Sequence, residues 1–238
     1  MRPGLSVLAL LASIGSAAAA PAAGAGSVQG VVVVPSQVEA PPSESLGFLA
    51  PIENRVANPR QYDPLPEIFV LLEPEGGTAL PPELTKAPAA PVVWKLVSSF
   101  AMPVLPVTRG STVKVVNDGS ESQLLYSTEA PDLLPRDPLG SKTSRDVVLG
   151  DRAEPLTVRS RSAPHVLGTI VPLGSRLFTR VDRGGRFKFE GVPPGRWLVK
   201  VYYRNGWLTL PKSFPFEVGA KAVELKVELP DPLKPAGK

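Results

Sequence analysis

The amino-acid sequence predicts an all-β protein made of two β-sandwich units. The first observation is the proline content, 29 of 238 residues, because a proline inside a helix costs about 3 kcal/mol. The second is that apolar and polar residues alternate over short segments, which is the period of a strand with one buried face. The third is that turn-forming residues recur roughly every eight to twelve positions, a spacing typical of sandwiches.

The composition also excludes several classes of function. The chain has no cysteine and one histidine, so it can form neither a disulfide nor a blue-copper site of the two-His, one-Cys type. That histidine, His165, follows a proline, and no serine lies in a Gly-x-Ser-x-Gly context that would indicate a Ser-His-Asp triad. The acidic residues lie mostly in loops or at outward strand positions, which favours solvated charges over paired catalytic carboxylates. We therefore predict a protein that is not an enzyme and holds no metal or cofactor.

Residues 1–20 have the pattern of a secretory signal peptide. Arg2 precedes an apolar run that extends from Leu5 to Ile14, and small residues follow. The apolar run is about ten residues long, whereas a helix needs about 20 to span a bilayer. We expect the segment to be cleaved and the mature chain to be periplasmic or extracellular, without a transmembrane segment. An uncleaved membrane anchor is the alternative.

Strand patterns begin directly after this segment. A β-branched run at 27–35 predicts the first strand, and the proline-rich stretch 36–66 is interpreted as a long loop whose role stays open. The continuous apolar run 67–73 predicts a strand that is buried on both faces. Residues 76–91, rich in glycine and proline, are interpreted as a linker.

The middle of the chain predicts a second group of short strands. The residues Asn117 to Gly119 predict a turn between two of them, and 132–146 is polar and predicted to be a loop. The strands are predicted at 92–97, 104–107, 111–116, 123–127, 147–149, 156–159 and 166–171.

The clearest alternation lies at 185–203 and predicts a β-hairpin with its turn at 191–195. Strands at 214–216 and 222–229 are expected to close the fold, and 231–238 is expected to be a flexible tail. The residues predicted to face the core are Phe187, Phe189, Trp197, Val199, Val201 and Tyr203.

The outer face of this hairpin is the predicted partner-binding surface. The stretch 176–204 contains eight basic and two acidic residues. Arginine and aromatic side chains are enriched at interface centres, so this face suits an envelope protein or an anionic glycan as partner. Two alternatives remain: a solvated face with cations along an edge, or an outer face covered by the second unit. The predicted binding residues are Arg186, Lys188, Leu198, Lys200, Tyr202 and Arg204. Nucleic acid is not predicted as a partner, because the stretch matches no nucleic-acid-binding module.

Two motifs in this stretch resemble the carboxypeptidase-regulatory-like (transthyretin-like) β-sandwich domain. They are Asp182-Arg-Gly-Gly-Arg-Phe187 and Phe189-Glu-Gly-Val-Pro-Pro-Gly-Arg-Trp197. The resemblance implies that 30–34 and 68–73 supply the first two strands of the same domain. It therefore implies a discontinuous sandwich, formed by 27–78 and 181–230. Such domains serve as structural, docking or carbohydrate-binding modules.

The inserted segment 91–180 resembles a plastocyanin-like (cupredoxin) domain. The matching residues are Phe100, Gly110, Val115-Val116-Asn117 and Tyr126-Ser127. The resemblance places a copper-binding histidine where this chain has Gln123. It places the cysteine and a second histidine near Ser160 and Ala163. The resemblance thus implies a cupredoxin-like unit that lacks the copper ligands.

We predict from these observations a non-catalytic, secreted or periplasmic binding or structural accessory module of the cell envelope. One alternative is a carbohydrate-binding module, which exposed rings at Trp94, Trp207 or Tyr202 would favour. A second alternative is a vestigial electron carrier of the cupredoxin type.

Overall fold

The computed structural model describes residues 26–35, 38, 62–212 and 215–233. Strands predominate in these ranges and form several sheets, so the all-β prediction is confirmed. The predicted signal peptide, most of the loop at 36–66 and the end of the tail lie outside the described residues. Within the described ranges, no helix is both long and apolar enough to cross a membrane.

Turns and one short helix connect the strands of the described residues. Two single 3-10 turns (Leu65–Glu67 and Glu75–Gly77) flank β2, and one short helix, α1 (Pro82–Thr85), lies in the predicted linker. The strands are β1 (Gly26–Val33), β2 (Ile68–Pro74), β3 (Val92–Leu96), β4 (Val104–Thr108), β5 (Thr112–Asn117), β6 (Leu125–Tyr126), β7 (Ser144–Val148), β8 (Leu156–Ser160), β9 (Leu167–Leu173), β10 (Phe178–Arg180), β11 (Arg186–Val192), β12 (Gly195–Tyr203), β13 (Gly206–Trp207), β14 (Phe216–Val218) and β15 (Val223–Glu228).

The first unit is a sandwich of two sheets. One sheet has the order β11-β1-β15, and we call it the front sheet; the other has the order β10-β2-β12-β13, with β14 also paired to β12, and we call it the back sheet. In the front sheet β1 pairs antiparallel with β11 and parallel with β15. Buried apolar side chains fill the space between the two sheets, among them Val28, Val70, Phe187, Trp197 and Val201.

Strand β2 has both faces buried, as the sequence predicts. Ile68, Val70 and Leu72 point into the core between the two sheets. Phe69 and Leu71 point the other way and are also buried. Apolar and polar residues alternate in a strand that has one face in solvent. Both faces of β2 are buried, which accounts for its continuous apolar run.

The second unit also consists of two sheets, with the orders β3-β5-β7 and β4-β9-β8-β6. In its core the rings of Trp94 and Phe100 stack with centroids 3.7 Å apart. Gly168 of β9 lies against both rings: a Cβ there would be 2.4 Å from the Trp94 indole and 2.7 Å from the Phe100 ring. A side chain at this position would therefore displace the stack.

The predicted turn that begins at Asn117 connects strands of two different sheets and does not close a hairpin. β5 pairs with β3 and β7, whereas β6 pairs with β8 in the other sheet. The chain thus crosses between the sheets. The buried Asn117 amide holds this crossing by donating to the carbonyl oxygens of Glu121 and Leu139 at 2.8 and 3.1 Å.

The hairpin predicted at 185–203 is also wrong. β11 pairs with β1 in the front sheet, and β12 pairs with β2 in the back sheet. The segment 191–195 therefore carries the chain from one sheet to the other, with positive φ at Gly191 and Gly195. The inward positions are confirmed, because all six predicted residues are buried in the core between the sheets. Alternation indicates which side chains face inward, and it is the same in a hairpin and in a crossing.

The two units contact each other through the outer face of the back sheet. Phe69, Leu71 and Tyr202 on that face form one buried cluster with Val104, Val171 and Leu173 of β4 and β9. The rings of Phe69 and Tyr202 stack with centroids 5.0 Å apart, and Trp207 meets Tyr202 edge-on at 5.1 Å. We call this cluster the inter-unit core.

Candidate functional site

The six predicted binding residues do not share one face. Arg186 and Lys188 lie on the outer face of the front sheet, where both are exposed. The other four belong to the end and outer face of β12, in the back sheet, and they are Leu198, Lys200, Tyr202 and Arg204. The sequence predicted one common surface for these residues because 185–203 was predicted to form a hairpin. The chain instead crosses from one sheet to the other, so the residues lie on two separate faces.

The second unit covers part of the β12 group. Tyr202 is 1% exposed within the inter-unit core, which agrees with the alternative that the second unit covers this face. Burial raises the pKa of Tyr202 to about 12. Among the described residues its hydroxyl has no hydrogen-bond partner. Lys200 is bound to Glu73 at 2.5 Å, and Leu198 is partly buried on the same strand.

Arg204 is also held within the chain. Its Nε donates to Glu67 Oε2 at 2.7 Å, and its guanidinium lies 5.3 and 5.1 Å from the ring centroids of Tyr62 and Tyr203. Burial lowers the pKa of Arg204, but the hydrogen bond and the charge of Glu67 outweigh that effect and raise it. Burial, followed by the hydrogen bond to Glu67, raises the pKa of Tyr62. This cluster anchors the chain before β2 to the end of β12.

The front sheet keeps an exposed outer face, which we call the front face. Lys188 on β11, Gln29 on β1 and Glu224 on β15 lie side by side in register, and all three are exposed. Gln29 Nε2 donates to Glu224 Oε1 at 2.9 Å, and Lys188 is paired with Glu190 at 2.6 Å. Arg186 projects from the same strand as Lys188 and makes no ion pair among the described residues. Arg186 and Lys188 on the front face therefore remain accessible, as does Lys200 on β12.

A cavity of about 610 Å³ adjoins the front face and reaches the end of β10. Arg180, which the sequence analysis did not select, lines it together with Arg186 and Lys188. Arg180 is partly buried, its Nη2 donates to the carbonyl oxygen of Pro66, and burial lowers its pKa. Its place in the basic stretch was the only signal in the sequence, and that signal does not distinguish it from its neighbours.

The positions of the implied copper ligands lie together in the second unit. Ser160 Oγ donates to Gln123 Oε1 at 2.7 Å, and both side chains are buried. Ala163 is buried, and His165 is exposed with its Nε2 2.9 Å from the carbonyl oxygen of Ser98. A hydroxyl and an amide oxygen that satisfy each other do not offer the thiolate and imidazole donors of a blue-copper site. No three His, Cys, Asp or Glu side chains of the described residues are grouped so as to hold a metal ion.

Comparison with known proteins gives matches among solved structures. No protein-family model matches the chain, and no curated protein matches it. The chain is similar to the amicyanin of Paracoccus versutus, with 15% identity over 37% of this chain and 86% of that one and a TM-score of 0.31. It is similar to the purple cupredoxin of Nitrosopumilus maritimus, with 15% identity over 34% of this chain and 99% of that one and a TM-score of 0.32.

Proposed function

We propose that this protein is a non-catalytic accessory module of the cell envelope, exported to the periplasm or the cell exterior, that binds a partner through the front face. One observation carries the proposal: part of the outer face of the back sheet is buried in the inter-unit core, whereas the charged side chains of the front face are exposed. A sandwich with one face fixed to a neighbouring unit has the other face available for binding.

We further propose that the first unit, formed by 27–78 and 181–230, is a carboxypeptidase-regulatory-like sandwich, and that the inserted 91–180 is a cupredoxin-like unit. The turn after Asp182 supports the first assignment. Asp182 Oδ1 accepts the backbone N–H groups of Gly184 and Arg186, both at 2.8 Å. Gly185 has φ +75°, and a Cβ there would be 2.5 Å from the carbonyl oxygen of Val32. The motif residues thus build the connection between the two sheets.

The two alternative functions have less support. A sugar-binding platform based on stacking needs exposed rings, but Trp94 and Tyr202 are 0% and 1% exposed, and Trp207 is partly covered beside the inter-unit core. An electron carrier needs a redox-active group. The Gln123–Ser160 hydrogen bond occupies the place where the cupredoxin resemblance puts two copper ligands.

Partner capture from envelope extracts tests the proposal. The chain without residues 1–20 is tagged and compared with two double variants of equal charge change, Arg186→Glu/Lys188→Glu on the front face and Lys86→Glu/Lys221→Glu at exposed positions elsewhere. We expect the wild type and the second variant to capture the same partner, and the first variant to lose it. Added salt should weaken the capture, because exposed charges are screened over about 8–10 Å at 0.1–0.15 M salt. If the front-face variant folds normally and still captures that partner, the proposed surface is wrong.

A further inference from the structure

Strand β15 forms one edge of the front sheet, and its outer side is unpaired in the described part of the chain. On the other side it pairs with β1 in one continuous parallel register. The Leu229 N–H donates to the carbonyl oxygen of Val33 at 3.1 Å. Alternate residues of a parallel strand face a given neighbour, so Glu224, Lys226 and Glu228 direct their backbone groups away from β1. No backbone hydrogen bond between described residues reaches that side, so this edge can accept a further strand.

The core between the two sheets is incompletely covered at this edge. Val223 and Leu225 of β15 pack against that core but are partly exposed, whereas Val227 of the same strand is buried. Natural edge strands often avoid pairing through a proline, a bulge or a charge that points inward. Residues 223–228 contain none of these, because the inward residues are apolar and the register with β1 has no shift. A strand added beside β15 would cover the exposed part of the core.

The sequence of β15 is complementary to itself. Antiparallel pairing with a second copy, about a two-fold axis at Leu225, sets Glu224 of each copy opposite Lys226 of the other. On the inward side the same register sets Val223 opposite Val227, and Leu225 opposite itself. Opposite charges and apolar pairs stabilise neighbouring strands when they lie directly across from each other, whereas like charges destabilise them. Each pair in this register is therefore favourable.

The neighbouring registers are less favourable. An axis at Lys226 would set the two lysines opposite each other and Glu224 opposite Glu228, so that like charges meet. An axis at Val227 would pair Lys226 with Glu228, but it would set Glu224 opposite Pro230, which has no N–H to donate. The charges and the proline thus select the axis at Leu225.

The charged groups of β15 are available for this pairing. Glu224 accepts a hydrogen bond from the neutral amide of Gln29 and has no ion pair in the described part of the chain, so its charge is not compensated there. Lys226 Nζ lies 3.0 Å from Glu228 Oε1 in an exposed pair, and an ammonium group has three donors. Glu228 also lies 3.7 Å from Lys212 Nζ. Lys226 can therefore bind the second copy's Glu224 while Glu228 keeps a cation beside it.

We infer that two copies of this chain form a homodimer through antiparallel pairing of their β15 strands about Leu225. The two front sheets then continue as one sheet, and Arg186 and Lys188 on β11 stay at its far edges, away from the interface. A single pair of strands buries less than the roughly 800 Å² on each side of a standard interface, so the dimer is reversible and depends on concentration. The inference goes beyond the proposed function, because partner capture depends on Arg186 and Lys188 and the dimer does not.

Sedimentation velocity of the chain without residues 1–20, over a range of concentrations, tests this inference. Glu224→Lys and Lys226→Glu each set like charges opposite each other, and we expect each to raise the dissociation constant of the dimer by about tenfold or more. An equimolar mixture of the two variants should recover the dimer, since unlike charges then meet at both positions. This recovery also shows that both variants are folded. Glu190→Lys, an exposed change of equal charge on β11 of the same sheet, is the matched control and should leave the dimer unchanged.

A disulfide reports the register directly, because the chain has no cysteine of its own. With Leu225→Cys the two thiols face each other across the axis, where strands lie close enough for a disulfide. With Val223→Cys, the matched partly exposed control, the two thiols are displaced by four residues, or about 13 Å, and are out of reach. We expect mild oxidation to give a covalent dimer of the first variant and not of the second. Adding Glu224→Lys to Leu225→Cys should slow the reaction.

Three results would overturn the inference. A chain that stays monomeric up to about 1 mM would show that the edge is covered or does not pair. A dimer that both charge variants retain unchanged would be formed by another surface. A covalent dimer that forms as readily with Val223→Cys as with Leu225→Cys would contradict the register. None of these results concerns the capture of an envelope partner, which the variants of Arg186 and Lys188 test separately.

Discussion

Ser160 donates a buried hydrogen bond to Gln123, with 2.7 Å between Oγ and Oε1, at the end of the sheet where β6 and β8 pair. The backbone N–H of Ser162 in turn donates to Ser160 Oγ at 3.2 Å. The two side chains therefore join the segment before β6 to the loop after β8. This contact joins two positions of the second unit at which the cupredoxin resemblance would place copper ligands.

Removing the Ser160 hydroxyl should destabilise the second unit. We expect Ser160→Ala to lower the free energy of unfolding by about 1–3 kcal/mol, because Gln123 Oε1 loses its buried donor. Urea titration measures the change, with the exposed Ser120→Ala as control. The double variant Gln123→Met/Ser160→Ala should lose less stability than Ser160→Ala alone, since it no longer leaves Gln123 Oε1 buried without its donor. A double variant that is less stable than the single one would contradict this explanation.

Copper should not produce a blue site in this protein. The intense visible absorption of such sites comes from a copper–thiolate bond, and the chain has no cysteine. We expect the protein titrated with Cu(II) to show no intense visible band and no change in its Trp fluorescence beyond that of a protein control. An intense band with one bound copper per chain would show that the second unit carries a site built from other donors.

Alkaline pH should destabilise the protein through its buried tyrosines. Burial raises the pKa of Tyr202 to about 12 in the folded chain, against an ordinary value of about 10. The unfolded chain therefore releases this proton first, and stability falls as the pH rises from about 10 to about 12. Urea midpoints across this range should fall less steeply in Tyr202→Phe than in the wild type. At neutral pH the same variant should lose no stability, because the hydroxyl has no partner in the described chain. A clear loss at neutral pH would reveal one.

Two arginines, Arg196 in β12 and Arg204 directly after it, should differ in their importance for stability. Arg204 and Glu67 have side chains that are 27% and 18% exposed, whereas Arg196, which pairs with Glu75, is 64% exposed. Arg204→Ala should cost about 1–3 kcal/mol, because it leaves a mostly buried carboxylate without its partner. Arg196→Ala should cost less than about 1 kcal/mol, as is usual for surface pairs. Equal losses in urea titration would show that the burial of the first pair is unimportant.

A methyl group at position 168 should disturb the core of the second unit. Its Cβ would lie 2.4 Å from the Trp94 indole, while position 174 has open space. We expect Gly168→Ala to cost at least about 1–3 kcal/mol, as overpacking does, and to change the Trp fluorescence. Gly174→Ala is the matched control and should leave both unchanged. An unaltered urea midpoint for Gly168→Ala would mean that the ring stack can shift at little cost.

The sequence predicted the strands and their inward faces better than the strand partners. The alternation at 185–203 depends only on the local backbone, so Phe187 and Trp197 were placed correctly in the core. Which strand each segment joins depends on contacts that are distant in sequence, and period-two alternation carries no information about them. The hairpin prediction is wrong for this reason. The predicted binding residues therefore lie on two sheets and not on one surface.

Tyr202 and Arg180 show why the candidate site could be predicted only in part. Tyr202 occupies an outward position on β12, and only the packing of β4 and β9 against that strand makes it buried. Arg180 is one of eight basic residues in its stretch. It differs from most of them because it lines the cavity between the end of β10 and the front sheet. Residue type and spacing describe a local face, and they do not reveal what a distant part of the chain places on it.

The central position of β1 in the front sheet constrains the order in which the protein can assemble. Gln29 of β1 and Glu224 of β15 are hydrogen-bonded although they are 195 positions apart. Contacts of such long separation form slowly, because closing a longer loop costs more chain entropy. The strands of the second unit are close to one another in sequence. Once this unit has folded, the chain segments on either side of it lie close together, and the Leu72 N–H donates to the carbonyl oxygen of Leu177. During synthesis the valine-rich β1 therefore stays unpaired on one edge until β15 has been made. We expect the nascent chain to be most prone to aggregation in this interval.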